Sequence, residues 1–284
     1  MLARRILITA LAAFGLTAQA EAGSVSQPGQ TIGLAVGAPV PDGLYFINTF
    51  SFGRRDTNPS STDVGVNIPV LFWATPARIL DGHFGLIAAV PNLWVSGPGG
   101  RTQGGLADFF ISGTLAWDLG GGLGVSYLLA AYLPSGTNID AETTTINQRF
   151  AVSYTADGYN LTANLYHGTI VGPMAKNGAL YPDYLNLDLT ATKKFGQWEL
   201  GPVAFASTDL PTRFPTYRPQ AQIAVGGLVG YDFGRFTLQA YLTHDVAERN
   251  YGGRDTRGWF RIVAPLTMGD PAPSVPAAPL ARRP

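Results

Sequence analysis

From about residue 43 to residue 266 the chain alternates apolar and polar residues one by one, in stretches roughly the length of a tilted membrane-crossing strand, about 9–11 residues. Leu161, Ala163 and Leu165 alternate with Asn160, Thr162 and Asn164, and Leu238, Ala240 and Leu242 with Thr237, Gln239 and Tyr241. Leu185, Leu187 and Leu189 alternate with Asn186, Asp188 and Thr190, and Val66, Ile68, Val70 and Phe72 with Gly65, Asn67 and Pro69. A period of two belongs to strands, and a helical period of 3.6 is almost nowhere visible. About twelve stretches count out, near 43–53, 63–73, 84–95, 105–118, 123–133, 146–155, 159–167, 184–195, 198–207, 221–231, 236–244 and 258–266.

The connections narrow the choice of fold further. Gly120-Gly121-Gly122, Ala156-Asp157-Gly158, Phe195-Gly196-Gln197 and Asp232-Phe233-Gly234-Arg235 are tight turns. Between them lie longer polar links at 134–145, 168–183, 208–220 and 245–257. Only 74–83 breaks the order, a longer link where a short turn is due. A soluble sandwich has no reason to sort its loops by length, whereas an outer-membrane barrel has short periplasmic turns and longer extracellular loops. Composition agrees: charged residues are 13% of the chain while hydrophobic ones are 46%, about half the ~25% charge that soluble surfaces carry. The expected fold is therefore an all-β, antiparallel up-and-down transmembrane barrel of about twelve strands.

The ends read differently. Arg4 and Arg5, the apolar run Ile6 to Leu16, and Ala18-Gln19-Ala20 form the basic, apolar and small-residue order of a cleavable signal peptide, residues 1–20. Residues 21–42 are a Gly/Pro/Ser-containing leader that either hangs in the periplasm or folds back into the pore. The barrel is expected over 43–266, and 267–284 is a Pro/Ala-rich tail of extended, disordered composition. With no cysteine, an exported chain has no disulfide, and stability falls to sheet closure and core. A formal net charge of zero argues against nucleic acid as a partner. No cofactor or metal is expected, the only histidines being His83, His167 and His244.

Three segments, in this order, resemble the outer-membrane proteins associated with the phenol meta-degradation pathway. They are Gly105-Leu106-Ala107-Asp108 opening a strand, Tyr132-Leu133-Pro134-Ser135-Gly136 closing one, and Arg254-Asp255-Thr256-Arg257-Gly258-Trp259-Phe260-Arg261 in the last hairpin. The chain departs from the family pattern in its proline-rich tail and in the order of Gly and Asp near Asp255. The resemblance implies a barrel moving small hydrophobic or aromatic compounds across the outer membrane. Its partners would be outer-membrane lipid, those solutes, and the barrel-assembly machinery during biogenesis.

In a barrel the alternation assigns the inside: the apolar phase meets lipid and the other phase meets the lumen. On that rule Asp108, Arg149, Asp188, Glu199 and Arg261 point inward, as do Phe110, Tyr132, Tyr166, Phe205 and Tyr241. The five charges either select solutes or brace the wall as paired groups. The aromatics either contact an apolar solute or pack a narrow interior. Trp94, Trp117, Trp198 and Tyr231 fall at strand ends, where interfacial girdles sit. On the same rule Gln239→Arg folds normally and shifts solute preference, while Leu238→Arg destabilises. His244-Asp245 is the most site-like of the histidine pairs, yet no nucleophile accompanies it, so catalysis is not expected. Two functions remain: a channel or transporter, or a plugged barrel that braces the envelope and presents loops.

Overall fold

The computed structural model of the chain describes residues 24–58, 60–97, 102–171, 182–212 and 217–268. The proposed signal peptide and nearly all of the expected tail lie outside them. Fourteen ladder segments form one closed sheet. They are β1 (Gly43–Arg55), β2 (Thr62–Ile79), β3 (Gly82–Ala89), β4 (Asn92–Ser96), β5 (Thr102–Leu106), β6 (Phe109–Gly120) and β7 (Leu123–Leu133) in the first half. The second half holds β8 (Thr144–Tyr154), β9 (Tyr159–Val171), β10 (Tyr184–Phe195), β11 (Trp198–Asp209), β12 (Ala221–Asp232), β13 (Thr237–Arg249) and β14 (Asp255–Met268).

Neighbouring strands pair antiparallel, and β1 pairs with both β2 and β14, so no edge is left open. β3 and β4 are two stretches of one barrel strand, interrupted at Val90-Pro91, where proline has no N–H to give. β5 and β6 are likewise one strand, interrupted at Ala107-Asp108. The break is stitched by Ala107 N–H donating to Pro91 O at 2.9 Å. The barrel thus has twelve strands, all antiparallel, as the alternation implied.

Several boundaries differ from the sequence reading. The 74–83 stretch is no long link: β2 runs to Ile79 and β3 starts at Gly82, leaving a two-residue turn. Leu80 and Asp81 both take positive φ, 51° and 61°, the conformation a tight hairpin demands even of residues that resist it. Pro76 and a register shift between Ala74 and Arg78 had hidden the strand. Likewise β9, β13 and β14 run beyond their expected ends to Val171, Arg249 and Met268, and β14 begins earlier, at Asp255. At Arg249 and Asp255 the ladder continues after the hydrophobic alternation has stopped. With short turns on the periplasmic side, both Gly43 and Met268 sit at that end, hydrogen-bonded neighbours in the closing ladder.

Leu129, Phe150, Leu165, Leu189, Leu242 and Phe260 stand exposed on the outside and form the apolar belt. At the short-turn end Trp198, Tyr231 and Phe233 touch edge to face, and the Trp117 indole donates to Leu80 O at 2.8 Å. On β2 the facing rule inverts. Val66 and Ile68 are buried inside, while Leu71 and Trp73 are exposed outside. The rule failed there because that side of the lumen is itself apolar.

Candidate functional site

Residues 24–42 run down the inside of the barrel, from Ser26 beside Tyr132 and Tyr184 near the extracellular end to Ala38 against Gly124 near the periplasmic end. The segment is a chain of tight turns, with Gln30 N bonded to Gln27 O, Ile32 N to Gly29 O, and Leu34 N to Thr31 O. Gly29 and Gly33 turn it at φ 85° and 84°. A Cβ on Gly29 would meet the Phe205 ring at 2.9 Å, and one on Gly33 would meet Leu228 at 2.7 Å. Only glycine gives both the backbone and the approach.

Side chains from β9 to β14 grip this segment. The Asp188 carboxylate accepts from Gly29 N at 2.7 Å, Thr31 N at 2.9 Å, Thr31 Oγ1 at 2.8 Å and Tyr166 Oη at 2.8 Å. Two nearby backbone N–H groups aimed at one anion make a small nest. Arg261, fully buried, answers from the other side by donating to the carbonyls of Gln30 and Ile32, to Thr49 Oγ1 and to Tyr241 Oη. Gln239 donates to Gly33 O at 3.0 Å and to Glu199 at 2.9 Å, and Glu199 also receives the Thr192 hydroxyl. Ile32 completes an apolar cluster with Phe205, Leu228, Tyr241 and Trp259. Buried polar groups inside a membrane must be satisfied internally, and here the leader backbone and the wall satisfy each other.

The other side of the lumen is different in kind. Ile47 of β1, Ile68, Val70 and Phe72 of β2, Ile87 of β3, Phe110 of β6 and Leu128 of β7 face a cavity of about 300 Å³. The leader closes its opposite side with Gln30, Thr31, Leu34 and Val36. Apolar cavities on the order of 150 Å³ accept benzene, so this one has room for a substituted ring. No Asp or Glu is among the residues that line it, and Arg149 enters from β8 beside Tyr132.

All ten residues that the alternation turned inward lie on the inward face, Tyr132 among them at the cavity wall. Phe110 and Arg149 line the cavity. Asp188, Tyr166, Phe205, Tyr241 and Arg261 hold or pack against the leader, and Glu199 reaches it through Gln239. Asp108 accepts from Ala141 N at 3.0 Å and pins the link between β7 and β8. The alternation rule did not find Ile47, Ile68, Val70, Phe72 or Leu128, because it sent apolar residues to the lipid. The signal for the leader lay in the four-residue spacing of Gly29, Gly33 and Gly37.

The His244-Asp245 pair is split by the strand pleat. His244 bonds Thr256 on the exposed side. Asp245 is buried, pairs with Arg55 at 3.2 Å and accepts from Asp255 N. With Arg257 bonded to Asp255 at 2.9 Å, these groups brace the extracellular end of the lumen. Among the described residues no group of three or more His, Cys, Asp or Glu could hold a metal.

A closed, even-stranded antiparallel sheet, with an apolar outer belt, short turns at one end and a polar interior most of which is hydrogen-bonded, is an outer-membrane β-barrel. The particular relationship is a family one: the chain belongs to the family described as "Putative MetA-pathway of phenol degradation", whose model matches residues 46–262. An outer-membrane channel from Pseudomonas putida F1 shares the fold, with a TM-score of 0.65 and 13% identity over 80% of this chain and 97% of that one. The β domain of the Bordetella autotransporter Brka aligns at a TM-score of 0.47 with 14% identity, over 78% and 98% of the two chains. No curated protein matches by sequence.

Proposed function

We propose that this protein is an outer-membrane channel for small hydrophobic compounds, aromatic ones included, and that residues 24–42 close its lumen at rest. The observation that carries the reading is the cavity of about 300 Å³, apolar on the barrel side and bounded on the other by the leader. A barrel that served only to brace the envelope gains nothing from leaving such a space unfilled, since every void forfeits packing. The similarity to a channel fold and the family membership support the same reading. Phe110 and Arg149 would touch the solute, while Asp188 and Arg261 would hold the leader against the wall. Passage would require the leader to shift, because it forms one side of the cavity along its length.

Export belongs to the same proposal. A signal peptide over 1–20 would be removed after Ala20, and the barrel-assembly machinery would insert the strands. The amino terminus of protein purified from outer membranes checks this, a start at Glu21 or, from the second small-residue frame, Gly23 being expected and retention of Met1 contradicting it.

The leader's bonding favours a second reading, a permanently plugged barrel. Proteoliposomes separate the two. Accelerated entry of toluene into vesicles, relative to protein-free vesicles, is expected of the channel. Equal entry, with no conductance from wild type or from Asp188→Ala, would leave only the plugged barrel.

A further inference from the structure

Arg149 stands apart from the other inward-facing arginines of the barrel. Arg55 and Arg257 have carboxylate partners at 3.2 and 2.9 Å, and Arg261 is occupied by leader carbonyls. Arg149 donates through Nε to Asn147 Oδ1 at 2.7 Å and through Nη2 to Tyr132 Oη at 3.0 Å, both neutral acceptors. Among the described residues no carboxylate lies within 4.0 Å of it and Nη1 has no protein acceptor. Its guanidinium lies over two ring faces, Phe110 at 4.8 Å and Tyr166 at 4.4 Å.

The cavity it enters is lined by no Asp or Glu. A guanidinium in apolar surroundings is costly, and ring faces offset only part of that cost. What completes the balance is a planar anion, because a carboxylate matches the flat donor edge of arginine.

Resting on the channel reading, we infer that the cavity selects amphipathic anions, small aromatic monocarboxylates whose carboxylate meets Arg149 and whose ring lies against Phe72, Ile68 and Leu128. The rings hold the Arg149 guanidinium flat where it lines the cavity. The Tyr132 hydroxyl and Asn147 fix its position, so the site is built before a ligand arrives.

The test uses the full-length protein in detergent micelles, titrated calorimetrically with benzoate, with benzamide as its neutral isostere, and with toluene. Benzoate is expected to bind at least tenfold more tightly than benzamide and to displace toluene. Arg149→Met is expected to lower the ratio of benzoate to toluene affinity tenfold or more, and Arg149→Lys to keep part of the preference. If Arg149→Met does not fold, judged by loss of the heat-modifiable band, the wild-type ratio and Arg149→Lys carry the test. Benzoate no tighter than benzamide in wild type, or an undiminished preference in Arg149→Met, would overturn the inference. Toluene binding without an anion preference overturns this inference alone. Failure of every probe to bind, with no uptake by vesicles, overturns the channel reading with it.

Discussion

The two sides of the lumen are built by the same pleat and do opposite things. From β9 to β14 the inward residues include Asn164, Asn186, Asp188, Thr190, Glu199, Gln239 and Arg261, nearly all bonded to the leader or to one another. On β1, β2, β3, β6 and β7 they are Ile47, Ile68, Val70, Phe72, Ile87, Phe110 and Leu128, and the leader covers them without filling the space between. The polar side supplies directional bonds that fix one position for a strip of backbone. The apolar side supplies few, Ser126 Oγ donating to Val36 O at 2.8 Å and Ser26 Oγ to Tyr132 Oη at 3.0 Å, so contact there depends mostly on shape and area. A barrel can therefore seat a closing segment and keep a binding space in one lumen, by dividing the chemistry around its circumference.

Breaking the polar side has the largest expected effect. Arg261→Ala strands the carbonyls of Gln30 and Ile32, at about 1–3 kcal/mol for each group left unsatisfied, while the Tyr241 hydroxyl keeps its bond to Gly29 O. A loss of about 3–5 kcal/mol in leader docking should appear as rapid proteinase K cleavage within 24–42, with the barrel band still folded. Asp188→Ala removes four accepted hydrogen bonds and should cost about 2–4 kcal/mol, read as frequent channel openings in planar bilayers. Gln239→Arg sharpens the comparison. Gln239 is buried against Gly33, not open to lumenal water, so a longer side chain should unseat the leader by about 1–3 kcal/mol through overpacking. This replaces the expectation that it would fold unperturbed and only shift solute preference. On the apolar side Ile68→Ala should cost the least, about 1–2 kcal/mol, below the usual range for a buried isoleucine because the side chain already borders a void. It should also admit a bulkier ring, measured by comparing naphthalene with toluene affinity.

How much of this could be read from the residues divides along the same line. Where the outside is apolar and the inside polar, as on β9 and β10, alternation placed Tyr166 and Asp188 inward, and the short and long links sorted the two ends. On β2 both faces are apolar, so period two persisted but its phase carried no meaning, and Ile68 and Phe72 were assigned to lipid. Pro76 and the turn at Leu80-Asp81 were obscured because a bulged strand and a turn lacking glycine look like a loop. The leader's place in the lumen was left open, because its position depends on partners such as Asp188, more than 150 residues away in the chain. The spacing of Gly29, Gly33 and Gly37, which the reading of the residues passed over, marks close packing without saying against what.

On the proposed channel reading, the leader seated on the polar side leaves it for solute to pass. The chain has no cysteine, so Thr31→Cys with Asn164→Cys, whose native side chains meet at 3.1 Å, gives a single tether between leader and β9. Toluene uptake by proteoliposomes carrying this variant is the direct measurement. Accelerated uptake is expected when the pair is reduced, and uptake at the protein-free rate when it is oxidised. Equal accelerated uptake in both states would contradict that reading.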